Sequence, residues 1–151
     1  MKKSLLFLLV LAAAVACHNA SPAPEAAPAP EAAPAPYPQT WQLVELTGQI
    51  PGYRKTGTDL PWQETYVFRA DGTFLKSRRQ ADQRVEARGT FSVQDLPDGR
   101  YAVLTYAAAS PLIGSCTASA LTETLAFQAD ETLVSTWQAC DGPGLKYQKV
   151  N

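Results

Sequence analysis

The sequence predicts an all-β fold, a single eight-stranded antiparallel up-and-down barrel behind a signal peptide and a disordered Pro/Ala-rich tether. Turn-forming pairs such as Asp-Gly separate short apolar-rich segments along the domain, which is typical of hairpins. The segment Arg84–Val93 alternates apolar or small residues with polar ones, the period of two that a half-buried strand requires. Because no stretch has convincing helical periodicity, we expect a strand meander that closes and so removes its edges.

The chain begins with a predicted signal peptide, residues 1–16. Lys2 and Lys3 precede an apolar run, Leu5–Ala16, which is too short to span a bilayer as a stable helix and which ends in small residues. The alternative, a buried N-terminal helix, lacks a packing partner because a proline-rich tract follows the run. Export would place the protein where disulfides persist.

Two cleavage sites overlap at the end of the apolar run. Ala14–Ala16 fits an ordinary signal-peptidase site, which would release a soluble protein. With Cys17 added, the segment resembles the lipobox of bacterial lipoproteins, which implies a lipidated cysteine as the new N-terminus. We favour lipidation of Cys17, because it removes a reactive free thiol and because several acyl chains anchor stably. His18 stands where some bacteria place an inner-membrane retention signal, Asp, so we expect the outer membrane of the cell envelope.

Residues 17–38 are the predicted lipidated cysteine and disordered tether. The repeats are built almost entirely from Pro, Ala and Glu, which cannot bury enough apolar surface to offset the entropy of ordering. Proline favours an extended polyproline II chain at about 3.1 Å per residue, so about twenty residues would reach roughly 60 Å. The alternative is a ligand for proline-recognition modules, but the repeats lack the basic or aromatic residues expected for specificity.

The predicted barrel domain spans residues 39–151. Asp71-Gly72, Pro97–Arg100 and the segment around Asp130 are its clearest turns. The long first connection, Thr47–Gln63, should lie over one barrel mouth, and one helical turn could form within Ala107–Ser119. The predicted strands are Thr40–Leu46, Glu64–Arg69, Thr73–Arg79, Arg84–Val93, Tyr101–Ala107, Ala120–Gln128, Thr132–Ala139 and Leu145–Val150.

Three segments, TWQLVEL, YVFRADGTF and LKYQKV, resemble those of small bacterial lipocalin-like lipoproteins over most of residues 40–150. The resemblance implies a barrel in which a tryptophan of the first strand packs at the closed end. A basic side chain from the last strand often covers that tryptophan. Trp41 matches the barrel-closing tryptophan, and Lys146 or Lys149 matches its basic partner.

The composition argues against an enzyme, a metal site, a cofactor and nucleic-acid binding. The single histidine, His18, lies in the tether, which excludes a histidine-activated serine or cysteine nucleophile in the domain. No cluster of His, Cys and carboxylates has metal-ligand spacing. The chain carries 13 Lys and Arg against 14 Asp and Glu, so no excess of positive charge favours nucleic acid.

Cys116 and Cys140 are predicted to form a disulfide around the last hairpin, leaving Cys17 as the odd cysteine. Pairing Phe127 with Leu133 would place Cys140 opposite Ala120, so the segment around Cys116 must curl back for the bond to form. Closing this loop would stabilise the fold by roughly 3 kcal/mol. Two buried free thiols are the alternative.

The barrel interior is the predicted site of function. In the first hairpin, Phe68 should pair with Phe74, Tyr66 with Lys76, and Glu64 with Arg78, so aromatic residues grade into charged ones. An inward-facing set of this kind could hold the tail and head group of a small amphipathic or hydrophobic ligand. The predicted ligand-binding residues are Tyr66, Phe68, Phe74, Lys76, Arg78, Glu123 and Trp137.

The alternative is a filled barrel that acts as a non-enzymatic protein-interaction or inhibitor module of the envelope. An eight-stranded barrel can fill its interior with side chains alone. Exposed loops or the basic hairpin Lys76–Arg88 would then contact a partner, whose identity the sequence does not give. A solvated strand edge is the competing explanation for that hairpin, because charges also blunt edge pairing.

Overall fold

The alternation of inward and outward residues produces one antiparallel sheet that closes on itself in the computed structural model, which describes residues 36–150. The predicted signal peptide, Cys17 and nearly all of the predicted tether lie outside the described residues. The strands are β1 (Gln39–Thr47), β2 (Arg54–Thr56), β3 (Gln63–Phe68), β4 (Thr73–Gln80), β5 (Gln83–Leu96), β6 (Gly99–Tyr106), β7 (Thr122–Phe127), β8 (Thr132–Ser135) and β9 (Gly144–Lys149).

The barrel consists of β1 and β3 to β9, and it closes where β1 pairs with β9. Each strand of the barrel pairs with its neighbours in chain order, which confirms the predicted eight-stranded meander. β2 is an additional short strand that the sequence did not predict. It pairs with the end of β1, within the long first connection.

The pairing register of the predicted hairpins is confirmed. Phe68 lies opposite Phe74, Tyr66 opposite Lys76, and Glu64 opposite Arg78, as expected from the Asp-Gly turn. In the last hairpin Phe127 lies opposite Leu133. The inner faces of the strands form one core of buried apolar residues: Trp41, Leu43, Leu46, Leu60, Tyr66, Phe68, Phe74, Ala102, Leu104, Tyr106, Leu125, Leu133, Leu145 and Tyr147.

Helical turns form at two places that differ from the expected one. The predicted strand Thr132–Ala139 ends at Ser135, whose hydroxyl accepts a hydrogen bond from the Trp137 amide and starts a 3₁₀ helix, Thr136–Cys140. A second 3₁₀ helix spans Gly57–Asp59 in the first connection. Within the described chain, the segment Ala107–Ser119 contains bends and turns but no helix.

The two ends of the barrel differ in their connections. We call the end where β1 begins the N-terminal end; it carries the short turns β3–β4, β5–β6 and β7–β8. The opposite end, which we call the plug end, is covered by residues 107–121, which join β6 to β7 and which we call the plug segment. Leu112 of the plug segment is buried in the barrel at 3% exposure.

The predicted pairing of Cys116 with Cys140 is present in the geometry. The two Cα atoms lie 5.5 Å apart and the sulfurs are at bonding distance. The bond joins the plug segment to the 3₁₀ helix before β9, so the plug segment curls back as the hairpin register requires. Among residues 36–150, no helix combines the length and the apolar character needed to cross a membrane.

Candidate functional site

Lys76 occupies the centre of a buried charge cluster at the plug end. Its register on β4 points the side chain into the barrel, where it is 1% exposed. The ammonium nitrogen lies 3.1 Å from both carboxylate oxygens of Glu123 and 3.3 Å from Oε1 of Glu64. It also donates to the Leu112 carbonyl of the plug segment at 2.6 Å. Every donor of the ammonium therefore has an acceptor inside the protein.

Glu64 ties the cluster to the barrel wall. Its Oε2 accepts from Arg78 Nε at 2.5 Å, and its Oε1 accepts from the Tyr147 hydroxyl at 2.6 Å. Arg78 is the most accessible member, and its guanidinium lies 4.5 Å from the ring centre of Trp62. Glu123 accepts in turn from the Tyr106 hydroxyl. Two cations and two carboxylates thus balance in charge.

The pKa directions follow from burial and from these contacts. Burial raises the pKa of Glu64, but the charges of Lys76 and Arg78 and the Tyr147 and Arg78 hydrogen bonds outweigh it and bring the pKa below its ordinary value. Burial first, and the nearby carboxylates second, raise the pKa values of Tyr66, Tyr106 and Tyr147, so all three stay protonated. The cluster is consequently ionised at Glu64 and neutral at its tyrosines around neutral pH.

This cluster fills the plug half of the barrel with protein groups. Lys76, Glu64 and Glu123 are each 2% exposed or less, and they bind one another. A buried ion pair needs good geometry and further hydrogen bonds to offset the cost of removing charges from water. Tyr106, Tyr147 and Leu112 supply those hydrogen bonds. The cluster is therefore a structural centre of the barrel.

Glu64 makes the stability of the barrel depend on pH. A lowered carboxyl pKa contributes stability above the unfolded-state value, about 4.3, that is lost as pH falls through the folded-state value. We expect the free energy of unfolding to fall below about pH 5 and to fall less in Glu64→Gln. Urea denaturation of both proteins from neutral to acid pH measures this. An unchanged profile in Glu64→Gln would contradict the assignment.

The N-terminal end of the barrel carries an open cavity of about 530 Å³. Its floor and walls are aromatic, and Phe68 and Phe91 lie 4.6 Å apart between ring centres. Trp41 and Phe127 meet edge to face at 6.0 Å. The cavity is lined by Tyr37, Gln39, Trp41, Phe68, Phe91, Val93, Arg100, Ala102, Phe127, Gln128, Ala129, Glu131 and Lys149.

The cavity has two causes, a small side chain on the inner face of β6 and the length of the β5–β6 hairpin. Ala102 is the first buried residue on the inner face of β6, and its methyl group leaves space that Leu104 fills one layer deeper. The β5–β6 hairpin continues beyond this layer to the pair Leu96 and Gly99, so one wall rises above the floor. Phe91 and Val93 on this wall are only half-buried. Apolar surface is therefore left facing the opening.

Two cationic side chains stand at the opening of the cavity. Arg100 lies with its guanidinium carbon 5.5 Å from the Phe127 ring centre and forms only a loose, exposed ion pair with Asp95 at 3.6 Å. Lys149 lies opposite Trp41 across the β1–β9 pair, on the inward side of β9. Glu131 is the one carboxylate in the lining among residues 36–150. The opening combines an apolar wall with a small excess of positive charge.

Phe68 connects the cavity with the charge cluster. Its ring stacks on Tyr66 at 5.9 Å, and the Lys76 ammonium lies 4.8 Å from the centre of the Tyr66 ring. Moving along the barrel axis, the cavity, an aromatic layer and the charge cluster therefore follow one another.

The structure divides the predicted ligand-binding residues between these regions. Lys76, Arg78 and Glu123 belong to the charge cluster, and Phe68 lines the cavity. Tyr66 lies in the aromatic layer between them, with its ring 4.8 Å from the Lys76 ammonium. Phe74 packs in the core, edge to face with Tyr106 at 4.9 Å. Trp137 lies half-buried in the 3₁₀ helix at the plug end. Their role in ligand binding stays a prediction.

Trp41 lies in the wall of the open cavity and is 3% exposed, whereas the resemblance places a closing tryptophan at the closed end of a barrel. Its Nε1 is buried without an acceptor among residues 36–150. Lys149, one of the two expected basic partners, also lines the cavity, whereas Lys146 bonds Asp130 at 2.7 Å. The closing role of Trp41 stays a prediction.

Several site residues were missed from sequence. The cavity residues Phe91, Arg100, Ala102 and Lys149, and Tyr106 and Tyr147 of the cluster, were not among the predicted ligand-binding residues. The signal that could have found them is strand parity, because Ala102 and Tyr106 share the inner face of β6. Extending the β5–β6 register from the Pro97–Arg100 turn would also have aligned Val93 with Ala102.

Among residues 36–150, no group of three or more His, Cys, Asp or Glu side chains is arranged to hold a metal ion. No family model, no curated protein and no solved structure matches the chain.

Proposed function

We propose that this protein is an exported lipoprotein of the bacterial cell envelope, anchored in the outer membrane through lipidated Cys17. Its barrel binds a small amphipathic ligand without catalysing a reaction. One observation carries the binding proposal: at the N-terminal end, an aromatic cavity of about 530 Å³ opens beside two cationic side chains. Cavities of this size, with an apolar wall and few polar anchors, are typical small-ligand sites.

The chemistry of the lining favours an anionic head group on an apolar tail. The tail would lie against Trp41, Phe68 and Phe91, where burial removes apolar surface from water. The head group would meet Arg100 and Lys149 at the opening, where hydrogen bonds between ions are stronger than neutral ones. Of the seven ligand-binding residues predicted from sequence, Phe68 lines this cavity. The proposed ligand contacts are therefore Trp41, Phe68, Phe91, Arg100 and Lys149.

The test uses dodecanoate as probe and the full chain carrying Cys17→Ser, so that lipid on the cysteine does not compete. We expect saturable binding by isothermal titration calorimetry, and about fivefold weaker binding in Lys149→Gln because one charged partner is lost. Dodecanol, which lacks the charge, should bind Lys149→Gln and the parent equally. Lys146→Gln, on the outer face of the same strand, is the matched control.

Filling the cavity supplies the second arm of the test. Ala102→Trp places a large side chain in the space that the alanine leaves open, so dodecanoate binding should be lost. Its unfolding transition in urea shows whether the barrel is intact. A folded Ala102→Trp variant that binds dodecanoate like its parent, or equal weakening in Lys146→Gln and Lys149→Gln, would contradict the proposal.

A further inference from the structure

Within the part of the chain that the structure describes, one stretch of β5 has a strand neighbour on one side only. β5 pairs with β4 from Gln83 to Thr90, but its pairing with β6 begins only at Gly89. The last bond on the β6 side runs from the Ala107 amide to the Arg88 carbonyl at 2.9 Å. Beyond it the plug segment diverges from β5, which leaves a groove of about 330 Å³ between residues 85–88 and 107–111.

The direction of the backbone groups along this stretch follows from two bonds. The Phe91 amide donates to Gly72 on the β4 side, whereas the Arg88 carbonyl accepts on the β6 side. Since the direction alternates along an antiparallel strand, the N–H and C=O groups of Arg84 and Glu86 point away from β4. They have no backbone partner among residues 36–150. An edge of this kind is a template for another strand.

The side chains of the open edge alternate in charge. Asp82, Arg84, Glu86 and Arg88 follow one another at every second position, and all four are exposed. Arg84 and Glu86 pair with each other at 2.8 Å within the chain, on the solvent side. Val85 between them is 39% exposed. This pattern is complementary to itself when read in the opposite direction.

We propose that the protein forms a homodimer by antiparallel pairing of this edge with the same edge of a second copy. With Val85 opposite Val85 on the two-fold axis, Arg84 of each copy faces Glu86 of the other. The two facing pairs therefore have opposite charge, and Arg88, whose carbonyl already accepts from the Ala107 amide, marks the end of the open edge. Arg84 and Glu86 also carry the free backbone groups, so each facing pair exchanges two hydrogen bonds.

Charge fixes both the register and the nature of the partner. Moving the two-fold axis by one residue would place Glu86 opposite Glu86 and Arg84 opposite Arg88, and facing like charges destabilise a strand pair. A uniformly acidic peptide would likewise meet a like charge at Glu86, and a uniformly basic one at Arg84. A second copy matches every position, which is why we assign the edge to self-association.

The dimer is independent of the proposed ligand site. The β4–β5 turn and the plug segment lie at the plug end, whereas the cavity opens at the N-terminal end. Pairing at the edge therefore leaves the cavity accessible. Anchoring on one membrane would raise the effective concentration of the copies, which favours an interface this short.

Sedimentation equilibrium of the full chain carrying Cys17→Ser tests the association, from about 1 µM to about 1 mM protein. We expect a monomer–dimer equilibrium that Arg84→Glu weakens at least about fivefold, because the introduced carboxylate of each copy would face Glu86 of the other. The double change Arg84→Glu with Glu86→Arg restores facing opposite charges and should restore dimerisation. A monomer at every concentration, or a double variant as weak as the single one, would overturn the proposal.

Cross-linking tests the register in the same protein. Residues facing each other as a non-hydrogen-bonded pair have Cα atoms about 4.5 Å apart, within the range of a disulfide. Val85→Cys should therefore form an intermolecular disulfide under mild oxidation, seen as a dimer on a non-reducing gel. Gln83→Cys, which would face Ala87 instead, is the control. Cross-linking of both variants to the same extent, or of neither, would count against this register.

Discussion

Replacing Lys76 with methionine is expected to lower the free energy of unfolding by about 3–5 kcal/mol at neutral pH. The substitution keeps a long unbranched side chain but leaves Glu64 and Glu123 buried without the ammonium that lies 3.1–3.3 Å from both. Arg78 still pairs with Glu64, whereas Glu123 keeps only the Tyr106 hydroxyl. An unpaired buried charge is far more costly than a lost surface contact.

Lys146→Met is the matched control for this prediction. Lys146 forms a surface ion pair with Asp130, in which both side chains are at least one-third exposed. Such pairs contribute about 0–1 kcal/mol. Urea denaturation of both variants, followed by circular dichroism, gives the comparison. If Lys76→Met costs no more than Lys146→Met, the charge cluster does not hold the plug half of the barrel together.

Replacing Gly89 with alanine is expected to destabilise the barrel by about 3 kcal/mol or more. A β-carbon at Gly89 would overlap the carbonyl oxygen of Thr105 and lie 2.9 Å from the ring of Phe74. The oxygen belongs to the backbone of the neighbouring strand, so it cannot turn away as a flexible side chain would. Relief requires β5 and β6 to move apart, next to the point where their pairing ends.

Thr90→Ala is the control for Gly89→Ala, because Thr90 is the next residue of β5 and points outward to solvent. We expect it to change the free energy of unfolding by well under about 1 kcal/mol. Thermal and urea denaturation of the two variants give the comparison. Equal stability of Gly89→Ala and the parent would contradict the close approach of the two strands.

Local pairing could be read from the sequence because the signals are local. The Asp71-Gly72 turn fixes the register of β3 with β4, and strand parity then places Tyr66 opposite Lys76 on one face. The predicted hairpin around Asp130 followed in the same way. Turn chemistry and alternation decide these features within about a dozen residues, so no knowledge of the rest of the barrel is needed.

The partners of Lys76 could not be read in this way. Glu123 lies on β7, which is not a neighbour of β4 in the sheet, and the two meet across the barrel interior. Leu112 belongs to the plug segment, which has no periodic pattern to place it. The sequence therefore identified charges on the inner face but assigned them to a ligand, while the structure pairs them with one another.

The location of the cavity depends on side-chain volume at the inner face of each layer. Ala102 leaves space at the N-terminal end, and Leu112 with the charge cluster occupies the plug end. Whether a barrel is filled or open depends on the combined volume of the inward-facing side chains from all its strands. The alternation of apolar and polar residues along one strand does not give that volume. The ligand expected beside Lys76 and Arg78 is accordingly proposed at the other end of the barrel, beside Arg100 and Lys149.

The three tryptophans locate the ligand most directly. Trp41 lines the cavity, whereas Trp62 stacks with Arg78 and Trp137 lies in the 3₁₀ helix, both at the plug end. Dodecanoate is titrated into ¹⁵N-labelled protein, and the three indole N–H signals are followed by NMR. These signals report ligand binding at both ends of the barrel in one experiment. The proposed cavity site predicts that the Trp41 signal shifts to saturation while the Trp62 and Trp137 signals stay in place. Shifts confined to Trp62 or Trp137, or no shift at Trp41, would contradict it.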